Sequence, residues 1–169
     1  MTENARKIHQ LVFKAPAPYI VIPDNITAAT IGERYFRQYC LPLYQELAGI
    51  AGEAEIPVRA YLDGDLKPLW QAIGESGIQG FDSPSPPPHN DTSPGEAAVM
   101  WPEMRLCVTF LSSVHLKSPE AINQRERELL EEAGYTGRLQ IQVSENVRPG
   151  VWPKSYPQIV KAIYDLGKP

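Results

Sequence analysis

The chain has 169 residues, 43% of them hydrophobic and 21% charged, a size and balance that suit one globular domain with a real core. A net charge of −4 leaves no electrostatic footprint for nucleic acid, and no apolar run reaches the ~18 residues that a bilayer demands. The polar start, MTENARKIHQ, lacks the core of a signal peptide, and Cys40 and Cys107 lie far apart in apolar patterns, so free thiols and a cytoplasmic setting are expected.

Residues 1–17 read as an N-terminal segment and residues 18–169 as a single α/β domain. PYIVIPDN (residues 18–25) is a β-branched run closed by Pro23 and Asp24, the signal of a buried strand. Ile31, Tyr35, Tyr39, Leu43 and Leu47 then recur every four residues, which predicts a long helix kinked at Pro42. PVRAYL (57–62) is a second strand. Leu66, Leu69, Trp70 and Ile73 mark a helix that Gly74 or Gly77 stops. IQGFD (78–82) is a third, short strand, and SPSPPPHNDTSPGE (83–96) is too rich in proline and serine for regular structure. A short helix is expected over 97–101, and LCVTFL (106–111) is the clearest strand. Ser118 as N-cap and Pro119 in the first turn open a helix that ends at Gly134. LQIQV (139–143) is the fifth strand, and a last helix covers about 156–166. Many of the 17 prolines fall between these elements and mark connections.

Strand and helix thus alternate five times, the pattern of parallel strands joined by crossover helices. An α/β fold of about five βα units follows. It is either part of a TIM-like barrel, whose full form needs eight units and about 250 residues, or, as the runner-up, an open doubly wound sheet.

In both architectures chemistry gathers where the parallel strands end. Strand one ends in Asp24 and Asn25, and strand two in Tyr61, Asp63 and Asp65. Strand three ends in Asp82, followed by His89 and Asp91. Strand four leads to Ser112, Ser113 and His115, and strand five to Ser144, Glu145 and Asn146. Asp and Ser at such junctions also cap helices, so Asp24, Asp65, Asp82 and Ser112 have a structural alternative. Asp63 comes directly off its strand ahead of Gly64 and is expected to face the mouth, with Asp65 capping the next helix. Glu145 is long for a cap, and His115 is a proton carrier by type. His9 is expected at the surface. No paired-cysteine motif, helical histidine pair or glycine-rich phosphate loop appears, so neither a metal nor another cofactor is expected.

Four segments resemble the C-terminal part of the uroporphyrinogen decarboxylase superfamily. ATIGERYFRQYCLPLYQELAGIA resembles its aromatic-rich helix leading to a leucine-proline pair. VRAYLDGDLKPLWQAIGESGIQGFD resembles the next strand, acidic-glycine turn, helix and short strand. MRLCVTFLSSVHL is similar to the strand with its substrate-facing turn, and LQIQVSENVRPGVWPKSYPQIVKAI to the final strand, polar loop and closing helix. The resemblance implies a distorted (βα)8 barrel with its site at the C-terminal mouth. It also implies one of two chemistries: cofactor-free removal of acetate carboxyls from a tetrapyrrole, or corrinoid-linked methyl transfer to a zinc-activated thiol. The zinc site of the methyltransferases carries His-x-Cys on the second segment and a cysteine in the last loop. Here Tyr61 and Asp63 hold the first two places and Glu145 falls in the last loop. In the decarboxylases that loop carries a histidine, near whose place Glu145 or Asn146 falls here.

The expected protein is therefore decarboxylase-like, with methyl transfer or a non-catalytic partner-binding role as alternatives. Asp63, Tyr61, His115 and Glu145 are the candidate catalytic residues. Asp24, Asn25, Asp82, Ser112, Ser113, Asn146 and Arg148 are the candidate substrate contacts. The family's arginine-rich N-terminal half has no counterpart here, so a homodimer or a partner chain that completes the barrel around a small-molecule substrate is expected.

Overall fold

The computed structural model describes residues 3–144 and 146–166. Five strands form one sheet: β1 (Ile20–Ile22), β2 (Val58–Tyr61), β3 (Gly80–Asp82), β4 (Arg105–Phe110) and β5 (Leu139–Val143). They lie side by side in chain order and every pair is parallel. This order decides between the two expected architectures. Right-handed crossovers between successive neighbours put every helix on the same face, whereas a doubly wound sheet reverses its order partway. The result is an arc of a barrel, open at the β1 and β5 edges.

Register sorts the strand residues onto two faces. Ile22, Val58, Ala60, Phe81, Leu106, Val108 and Phe110 share the helix-facing side and are all buried in the core. Helices α2 (Ala28–Tyr35), α3 (Leu41–Ala54), α4 (Trp70–Gly74), α5 (Pro94–Met100), α6 (Pro119–Ala133) and α7 (Trp152–Leu166) follow the strands in turn. Their Tyr44, Leu47, Ile73, Ile122, Leu129 and Ile159 complete that core. Trp101, after α5, stands edge-on to Phe81 with ring centroids 4.6 Å apart.

Local chemistry explains where the elements differ from expectation. The long helix is divided: the backbone leaves helical geometry at Gly32, and a π turn over Phe36–Cys40 joins α2 to α3. Pro42 sits in the first turn of α3, where its missing N–H costs nothing, and the wider π turn makes room for its ring. Helix α5 starts within the stretch read as loop, because Ser93 and Glu96 form a reciprocal capping box. Helix α7 starts one turn earlier than expected. A further helix, α1 (Glu3–Val12), occupies the N-terminal segment, tied by an Arg6–Glu46 ion pair of 2.6 Å and followed by the buried Phe13. Cys40 and Cys107 are free, and among the described residues no helix is long and apolar enough to cross a membrane.

The turn after β2 is locked to the first unit. A Cβ on Gly64 would lie 2.2 Å from Thr27 Cβ, so only glycine fits. Asp65 N donates to Thr27 Oγ1 at 3.2 Å, and Ala28 N donates to Asp65 O at 2.8 Å.

Candidate functional site

The C-terminal ends of β2, β3, β4 and β5 surround a cavity of about 460 Å³. Tyr61 and Asp63 come from β2 and its turn, Asp82 and Ser83 from β3, and Thr109 and Ser112 from β4. Gln142, Ser144 and Asn146 come from β5, and Ser85 and His89 from the proline-rich loop. The lining is almost wholly polar, and no lysine or arginine is among its described residues.

Asp63 is held at one oxygen. Its Oδ1 accepts from Asn90 Nδ2 at 3.0 Å and from Ser85 N at 3.2 Å. Both donors belong to the proline-rich loop, so this carboxylate anchors the loop to the mouth. On the next strand Ser83 Oγ donates to Asp82 Oδ1 at 2.8 Å. Gln142 on β5 ties them to β4: its amide donates to Ser83 Oγ and to Thr109 Oγ1, while its carbonyl accepts from Cys107 Sγ at 3.3 Å. Burial pushes the Cys107 thiol up to about 11, with the Asp82 charge adding to the rise and Arg59 opposing it. The thiol therefore stays protonated near neutral pH.

Seven of the strand-end residues named from the sequence meet at this cavity: Tyr61, Asp63, Asp82, His89, Ser112, Ser144 and Asn146. The remaining candidates go elsewhere. His115 is a correction. It is fully buried in a short 3-10 turn, 2.5 Å from Ser155 Oγ through Nδ1, and packed between the rings of Phe110 and Tyr156. Burial lowers its pKa, against a backbone hydrogen bond with Phe110 that raises it. The strand end thus turns the imidazole inward beneath α7 and not into the mouth. Asp24 is exposed and acts on the Tyr44 phenol and the Cys40 thiol, both of whose pKa values it raises after burial has done so. Asn25 takes a left-handed turn conformation with φ 46°. Ser113 and Arg148 are exposed and do not line the cavity. Glu145 lies outside the described residues.

The expected cap at Asp65 is also corrected. Asp65 is exposed, and the Asp91 carboxylate does the capping, accepting from Leu66 N at 2.8 Å and Lys67 N at 3.1 Å. A loop residue reaches back across 25 positions, which no local pattern announces. Thr109 and Gln142 were missed because they lie inside strands. Their signal was the alternation in LCVTFL and LQIQV, which puts one polar residue in every second place.

The superfamily's zinc chemistry does not fit this donor set. Among the described residues no group of three or more His, Cys, Asp or Glu side chains is placed to hold a metal ion. The one nearby thiol is committed to Gln142 below the mouth.

No protein-family model matches the sequence, and no curated protein matches it either. Among solved structures, a methyltransferase from Methanosarcina mazei superposes on 93% of this chain and 44% of its own, with a TM-score of 0.69 at 16% identity. A citrate synthase, SbnG, covers 96% of this chain and 70% of its own, with a TM-score of 0.50 at 10% identity. The chain spans less than half the length of that methyltransferase. At these identities the likeness is one of fold. It is consistent with the superfamily resemblance in the sequence, and nothing in it favours the decarboxylases of that superfamily.

Proposed function

We propose that this chain is a methyltransferase-type relative whose mouth holds a small polar methyl acceptor between Asp63 and Asp82. The observation that carries this reading is the pair of carboxylates on one polar cavity without lysine or arginine among its described lining residues. Such a mouth suits a neutral or cationic acceptor bearing an N–H, O–H or S–H. It is unsuited to a tetrapyrrole with several carboxylates, which needs cations around it. The decarboxylase reading therefore loses its substrate, while the fold likeness supports the methyltransferase branch.

In this reading Asp63 Oδ1 is fixed by Ser85 and Asn90, leaving Oδ2 for the ligand. A corrinoid-type donor outside this chain would supply the methyl group and keep the electron pair of the bond that breaks; the acceptor atom, on gaining the methyl, loses its proton, and Asp63 is the carboxylate set to receive it. Asp82 anchors the far side, and Tyr61 and Ser112 orient the acceptor. The rest of the mouth comes from a second copy or a partner chain.

Thermal denaturation with ethanolamine or citrate tests the reading. Ethanolamine raises Tm in the unmodified chain and loses that effect in Asp63→Asn, while citrate gives no rise. Stabilisation by citrate alone, or an undiminished ethanolamine shift in Asp63→Asn, would overturn it.

A further inference from the structure

We infer that Arg59, on the concave face of the sheet below the mouth, is the subsite for a single oxyanion, a carboxylate or phosphate group. Arg59 is only 7% exposed. Its Nη1 donates to Gln140 Oε1 at 3.2 Å, its guanidinium carbon lies 4.1 Å from the Tyr19 ring centre, and its Nε is buried with no hydrogen-bond partner among the described residues. None of the ion pairs among the described residues includes it. Arginine is almost never buried to this degree without a paired charge, because the desolvated cation is costly. An aromatic face and one amide offset only part of that cost. The missing element is an anion.

The position fits a ligand subsite. Arg59 starts on β2 and Gln140 on β5, and their side chains meet over the concave face of the sheet. Gly80, the register partner of Arg59 on β3, supplies no side chain there. Arg105, the next residue in the same row, adds a second positive side chain that is exposed and is in none of the ion pairs among the described residues. Arg59 lies two residues before Tyr61 and Gln140 two residues before Gln142, and both later residues line the cavity. The Arg59 Cα is thus one side-chain layer, roughly 7 Å, below Tyr61, and its guanidinium reaches Gln140, which is level with Cys107, Asp82 and Tyr61. Asp82, one layer up on the same face, is engaged with Ser83 and makes no ion pair with Arg59. A fork of N–H donors matches a planar carboxylate or a phosphate. Asp63 and Asp82 above it disfavour further negative charge, so the ligand class is a small molecule with one oxyanion end directed inward.

The test is the arginine Nε–Hε spectrum of the full chain, titrated with sodium acetate and with inorganic phosphate against sodium chloride at matched ionic strength. The Arg59 resonance shifts saturably with acetate or phosphate and not with chloride. Arg59→Gln weakens the binding tenfold or more, Arg59→Lys weakens it less, and Arg37→Gln leaves it unchanged. If Arg59→Gln does not fold, the resonance of the unmodified chain still decides. Absence of a saturable shift, an equal response to chloride, or unaltered binding in Arg59→Gln would overturn the inference. Asp63→Asn retains the acetate response, which separates failure of the transfer reading from failure of this one.

Discussion

The two faces of the sheet are built from the same five strands and do opposite work. On the helix side Val58, Ala60, Phe81, Leu106, Val108 and Phe110 form a closed apolar layer under the helices. On the concave side, alternating with them, stand Arg59, Tyr61, Asp82, Cys107, Thr109, Gln140 and Gln142. A barrel interior is ordinarily filled by bulky branched residues. Here it is hydrogen-bonded and polar, so the apolar burial of this unit resides in the outer layer. The face that lacks opposing strands has little apolar surface to hide.

Substitutions on the two faces should therefore separate. Phe81→Ala, in the helix-side layer against Trp101, is expected to cost about 3–5 kcal/mol in urea unfolding, since it removes a fully buried ring and leaves a cavity. A loss below about 1 kcal/mol would break the comparison. Glu126, on α6, is the defect in that layer. Its carboxyl is fully buried with neither oxygen paired among the described residues, and burial pushes it up to about 7, with Arg125 opposing. The folded chain holds the proton more tightly than the unfolded chain. The benefit is whole below the ordinary carboxylate value of 4.5 and is lost as pH rises toward 7. Glu126→Gln should then raise stability at pH 8 by roughly 2–3 kcal/mol and do little at pH 4, as read from paired urea curves.

His115 tests the same layer from the acid side. His115→Ala leaves the buried Ser155 hydroxyl without its partner and should cost about 1–3 kcal/mol. The imidazole pKa is lowered in the fold, so its contribution is present above the unfolded value of 6.5 and lost as pH falls through the folded one. The variant should accordingly show a shallower loss of stability below pH 6, measured by thermal melts across that range. The smallest effect is expected on the concave side. Gln142→Leu should change stability by no more than about 1 kcal/mol while abolishing the ethanolamine shift, because its amide sets Ser83 and Thr109 at the cavity. A large stability loss with intact ligand response would mean that the inner face is structural after all.

Much of this was legible beforehand. The β-branched runs, the Ser118-Pro119 helix start and the polar residues at each strand end are local signals; four of the five strands lie within the segments that periodicity marked, and β4 begins one residue before its own. The convergence of Tyr61, Asp63, Asp82, Ser112 and Asn146 followed from one rule, that parallel strands share a C-terminal rim. His115 escaped because four residues beyond β4 the chain coils into a 3-10 turn, and the ring's direction depends on α7, forty positions away. Asp91 and Asn90 escaped for a related reason: a proline-rich loop has no periodicity from which its reach could be read.

By itself the sequence determined the parts: five alternating units, apolar strand residues in every second place, and acids and hydroxyls at the strand ends. These depend on neighbours within a few positions, where backbone sterics and side-chain period act. Only the tertiary structure decided that the strands lie in chain order, that all helices therefore share one face, and that a buried arginine lies on the other. Those outcomes depend on long-range pairing and burial, which local pattern does not encode.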